Sequence, residues 1–135
     1  MNGIFIIAHA PLAAALRQCV LHVFPDSAVG VVSLDVQANM PPEETLVQAR
    51  TMLEQLGTPD TLVLVDVFGA TPCNVAQKLV DGVHTKLITG VNLPMLLRTV
   101  SPARAGRCVG GARFGRCHAR RDAGRYHRTA ESDKK

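Results

Sequence analysis

Two side chains in the first half of the chain stand where chemistry could be done. His9 follows the apolar run Gly3 to Ala8 (GIFIIA), and Asp66 lies near the end of another, Thr61 to Phe68 (TLVLVDVF). Neither belongs in a core unpaired. A carboxylate beside a histidine accepts the Nδ1–H bond, fixes the tautomer and leaves Nε2 as a free base or nucleophile. The two could equally be a structural His–Asp pair, or a lone satisfied histidine with Asp66 capping a loop, and spacing alone does not choose between these and the functional reading. Thr71 also has two readings. Followed by Pro72, it is expected to cap a helix with its hydroxyl. The free N–H groups of that helix start could in addition hold a phosphate.

These groups need elements that bring them together. Gly3 to Ala8 reads as a buried strand, and from Leu12 the apolar residues 12, 16, 19, 20, 23 and 24 make one helical stripe. Pro11 suits the first turn of that helix, and Pro25 lies just past its end. Ala28 to Val36 (AVGVVSLDV) is a second strand. The helix from Glu43 has the stripe Leu46, Ala49, Leu53 and Leu56, closed by Gly57. Thr61 to Phe68 is the third strand, followed by a helix with Val75, Ala76, Leu79 and Val80 on one face. Thr85 to Val91 is the fourth, and Asn92-Leu93-Pro94 opens a short helix through Leu97.

Apolar strands alternating with helices through short connections predict a single α/β domain. It should be a mainly parallel four-stranded sheet with helices on both faces, without internal sequence repeats. In such sheets ligands bind beyond the carboxyl ends of the strands. His9, Asp35, Asp66, Gly69-Ala70-Thr71 and Asn92 all fall at those ends.

The 135 residues carry a net charge of +4, distributed unevenly. Residues 1–100 hold five basic and eight acidic side chains, whereas residues 101–135 hold ten basic and three acidic. The basic excess belongs to a tail on a mildly acidic domain, so the charge balance gives no reason to expect a nucleic-acid partner. The tail, rich in Arg, Ala, Gly, His and Cys, has no apolar period and is expected to be disordered. Cys19, Cys73, Cys108 and Cys117 form no CxxC pair. Cys108, Cys117 and His118 match no usual zinc spacing, so no metal site is expected. No apolar run reaches the roughly 18 residues that a membrane span needs. The amino end has no basic leader, which makes the cytoplasm the expected address.

His9 at the end of the first strand, LVDVFGATPCN (64–74) and GVNLPML (90–96) occur in order and in register with the strand–helix pattern. Over residues 1 to about 100 the chain resembles the enzyme IIA domain of the mannose family of the bacterial phosphoenolpyruvate-dependent sugar phosphotransferase system. The resemblance implies that His9 accepts a phosphoryl group on Nε2 from the phosphocarrier protein HPr and passes it to a IIB component. It implies that Asp66 binds Nδ1–H, and that Thr71 and Asn92 line the phosphate. No cofactor or metal is implied, because the histidine is itself the carrier. The address implied is the cytoplasm, at the periphery of the inner membrane through transporter partners.

Two other functions are compatible with these motifs. One is a regulatory protein whose phosphorylation state is read by a partner. The other is the phosphotransfer subunit of a dihydroxyacetone kinase, against which GVNLPML argues. Family members continue with a helix and a final strand, often exchanged between the subunits of a homodimer. Here residues 101–135 depart from that pattern, as a natural basic extension or the product of a shifted reading frame. The dimer contact is therefore left open.

Overall fold

The computed structural model describes residues 2–101. The expectations for the tail, including Cys108, Cys117 and His118, lie outside them. Strand β1 is Gly3–His9, β2 is Val31–Val36, β3 is Thr61–Val65 and β4 is Thr85–Thr89. Helix α1 is Leu12–Val23, α2 is Pro42–Leu56, α3 is Thr71–Gln77 and α4 is Leu93–Val100. All strand pairs are parallel and the sheet order is β2-β1-β3-β4.

The sheet is buried on both faces, as uninterrupted apolar strands require. Ile4, Ile6 and Ala8 of β1, with Leu64 of β3, pack beneath Ala13, Leu16 and Val20 of α1 and Met95, Leu96 and Val100 of α4. Phe5, Ile7, Val63 and Val65 meet Ala49 of α2 and Cys73, Val75 and Ala76 of α3 on the other face. The two-residue side-chain period of β1 thus feeds two cores.

Element ends differ from the sequence expectation where polar groups intervene. Strand β2 begins at Val31, not Ala28, because Pro25–Ser27 forms a 3-10 turn. The Arg17 guanidinium then holds the turn, with Nε donating to the Val31 carbonyl at 2.8 Å and Nη2 to that of Ala28 at 3.3 Å. Strand β3 stops at Val65, not Phe68, since the Asp66 carboxylate accepts the N–H of Val67 at 2.8 Å and bends the chain. Strand β4 stops at Thr89, followed by Gly90 at φ 80°. Leu79 and Val80 lie past the end of α3, and Pro11 stands just before α1 rather than within its first turn. Gly57 closes α2 in the left-handed conformation at φ 60°, as its position predicts.

Leu64 has no exposed surface, whereas Val47 on α2 is 63% exposed. Leu64→Ala should cost about 2–5 kcal/mol in urea unfolding, and Val47→Ala should stay within about 0.5 kcal/mol of wild type.

Candidate active site

The chain leaves β1 toward β2 on one side, then returns to place β3 on the other side of β1. Connections on either side of this reversal diverge and leave a crevice at the carboxyl ends of β1 and β3. His9 is the last residue of β1, and Asp66 directly follows β3.

The structure joins these two residues. His9 Nδ1 lies 2.7 Å from Asp66 Oδ2, and the backbone N–H of His9 donates to the same oxygen at 3.1 Å. The other oxygen, Oδ1, accepts from Val67 N–H. The histidine side chain is 53% exposed, whereas that of the aspartate is only 8% exposed. Burial alone would raise the pKa of Asp66. The hydrogen bonds from the His9 ring, the His9 N–H and the Val67 N–H outweigh it and hold the carboxyl below its ordinary value. In the neutral imidazole, an ionised carboxylate this close to Nδ1 favours the ring proton there and leaves the lone pair on Nε2. The arrangement is that of a held nucleophile or base.

Thr71 and Asn92 follow β3 and β4 on the same edge of the sheet, Thr71 as the first residue of α3 and Asn92 just before α4, but neither bonds to His9 or Asp66. Thr71 does not cap α3 as expected. The extended residue Ala70 (φ −98°, ψ 172°) takes the cap position, and no side chain accepts a bond there. Thr71 is the first helical residue, Asn74 N–H closes the turn onto Ala70, and the Thr71 hydroxyl has no partner among the described residues. Gly69, at φ 80°, makes the preceding turn that brings the helix start to the sheet edge. Asn92 caps α4, its Oδ1 accepting from Met95 N–H at 3.0 Å. Its amide donors have no partner among the described residues. Asp35 turns away from His9 and accepts the N–H of Ala14 in the first turn of α1 at 3.0 Å.

Sequence reasoning missed exposed apolar side chains close in sequence to the pair. Leu12 is 40% exposed, Val67 40% and Phe68 51%. The last two read as strand interior because they continue an apolar run. The signal against that reading was Asp66 itself, a charge too costly to leave inside a strand buried on both faces. Among the described residues, no group of three His, Cys, Asp or Glu side chains converges as a metal site would require, and no helix is long and apolar enough to cross a membrane.

Comparison with known proteins gives this edge a context. Residues 3–109 match the family described as "PTS system fructose IIA component". The PTS system mannose-specific EIIAB component of Escherichia coli K12 is 43% identical over 61 residues, covering 38% of this chain and 19% of that protein. The match thus spans about a fifth of the relative's length. The crystal structure of phosphotransferase system component EIIA from Streptococcus agalactiae superposes with a TM-score of 0.67 at 25% identity, covering 78% of this chain and 81% of that one. The mannose/sorbose specific IIA subunit from Enterococcus faecalis shares the fold, with a TM-score of 0.67 at 22% identity over 75% of this chain and 76% of its own. With three motifs in register, a four-stranded parallel sheet and a family match that runs through every described element, the chain belongs to the mannose-type IIA family of the sugar phosphotransferase system.

Proposed function

We propose that this chain is a phosphoryl carrier, accepting phosphate from HPr on Nε2 of His9 and passing it to a IIB component for sugar uptake. The observation that carries the reading is the 2.7 Å contact from the half-exposed His9 ring to a nearly buried carboxylate. That contact occupies one ring nitrogen and leaves the other for chemistry.

The Nε2 lone pair attacks phosphorus on the phosphoimidazole of the donor. An N–P bond forms at Nε2 as the donor's N–P bond breaks, and that electron pair returns to the departing imidazole. The proton on Nδ1 stays in place, and Asp66 offsets the positive charge that grows on the ring. Thr71 Oγ1–H and the Asn92 amide, both donors without a partner among the described residues, serve the phosphoryl oxygens. Positioning and in-line approach carry most of the rate. Exposed Leu12, Val67 and Phe68, within three residues of His9 or Asp66 in the chain, give partners an apolar surface suited to brief docking. Residues 101–135 take no part, and the protein works in the cytoplasm, meeting the membrane only through its partners.

Phosphoenolpyruvate, enzyme I and HPr should together label the full chain, with the label mapping by mass to His9. His9→Ala should abolish acceptance in a protein that keeps its circular dichroism. Label on His22 or His84 in that variant would overturn the assignment.

Asp66→Asn should fold and yet accept phosphate about 10–100-fold more slowly. One charge-assisted hydrogen bond amounts to about 1.5–3 kcal/mol, and each 1.4 kcal/mol is about tenfold in rate.

The lowered pKa of Asp66 also has a sign. Stability from its hydrogen bonds is fully present above the ordinary carboxylate value of 3.8 and is lost as pH falls through the lower folded value. The urea midpoint of wild type should therefore drop more steeply from about pH 4 to about pH 2 than that of Asp66→Asn.

A further inference from the structure

Asp35 lies at the carboxyl end of β2, in register with Ala8, the residue before His9. The side-chain period of β2 sends Val32, Leu34 and Val36 toward α2 and α3, while Val31 belongs to the core beneath α1 and α4. Asp35 shares the parity of Val31 and reaches the α1 face, where its Oδ1 accepts Ala14 N–H. His9 has the opposite parity, that of Phe5 and Ile7. The two side chains therefore stand on opposite faces of the sheet, and any influence of Asp35 on His9 runs through the backbone.

The connection from His9 to α1 is short enough to carry it. Only Ala10 and Pro11 separate the strand from the helix, and Pro11 offers no capping side chain. The first turn of α1 leaves N–H groups without helical partners. Ala15 N–H closes onto the Pro11 carbonyl, and Ala14 N–H is satisfied from outside the helix by Asp35. Ala10 N–H donates to the Val36 carbonyl at 3.1 Å, extending the β1–β2 ladder one residue past His9. The His9 segment is thus fastened to β3 through Asp66 and to β2 through Val36 and Asp35.

We infer that Asp35 is a positioning residue for phosphoryl transfer, fixing the start of α1 so that the His9 ring meets Asp66 and the incoming phosphorus. It touches neither. What the position requires is a hydrogen-bond acceptor at Oδ1, so asparagine serves where alanine does not. Here Asp35 differs from Asp66, whose charge acts on the ring itself. The inference rests on the carrier reading, since the rate it affects is that of acceptance on His9.

The test compares Asp35→Ala and Asp35→Asn with wild type in the full chain, by phosphate acceptance from phospho-HPr and by the ring ¹⁵N resonances of His9. Asp35→Ala should lower the rate at saturating phospho-HPr about tenfold and shift the His9 Nδ1 resonance, while Asp35→Asn restores most of both. An unchanged rate and unchanged resonances in Asp35→Ala would overturn the inference. Equal losses in both variants would overturn it too, by showing that charge is what matters. If alanine prevents folding, Asp35→Asn decides: it must keep the wild-type His9 resonances. Should wild type itself accept no phosphate, the carrier reading falls, and the resonances alone then judge the positioning role.

Discussion

One hydrogen bond sets the terms for the rest of the site, the one between His9 Nδ1 and Asp66 Oδ2. It fixes the tautomer, holds the ring and decides which nitrogen is free. The same oxygen also takes the backbone N–H of His9, so ring and main chain are gripped at one point. A ring tethered by its side chain alone could still swing with the loop. Asp66 is in turn held by Val67 N–H, which fixes the carboxylate plane. Strand β3 ends where it does because those bonds need the chain to bend there.

Such a grip is available only where two strands of a sheet diverge. Residues 9 and 66 are brought together because β1 and β3 are neighbours while the connections that leave them run to opposite sides. The strand interiors, with Phe5, Ile6, Ile7, Val63, Leu64 and Val65 all fully buried, give the edge a rigid base. A polar pair placed farther down either strand would face a core with no route to a partner. The apolar strands and the polar edge are thus two consequences of one topology.

Much of this was legible in the residues. Apolar runs and helical stripes placed all four strands and four helices, and their alternation implied the parallel sheet. Their place at strand ends made His9 and Asp66 candidates for a pair, and the family resemblance implied the bond between them. What was less legible depended on contacts distant in sequence or on local turn chemistry. Thr71 reads as a cap because Pro72 follows it, yet Gly69 turns the chain so that Ala70 takes that place. Val67 and Phe68 extend an apolar run in sequence and leave the strand in space. The partner of Asp35 lies on a helix twenty-one residues earlier, and no local pattern announces it.

The unequal exposure of the pair suits the proposed carrier role. In that reading a phosphoryl group on the ring would be reached twice, by a donor imidazole and then by an acceptor, so one face of the ring would have to stay open. His9, 53% exposed, meets that need. The bond on the other face must not be diluted by water, because a solvated carboxylate would hold Nδ1–H weakly and let the tautomers mix. Asp66, 8% exposed, meets that need in turn. Burying both residues would block the partners, and exposing both would loosen the ring. A strand end supplies the compromise: the aspartate tucks against the sheet while the histidine projects past it. The site's chemistry is therefore a property of where β1 and β3 stop.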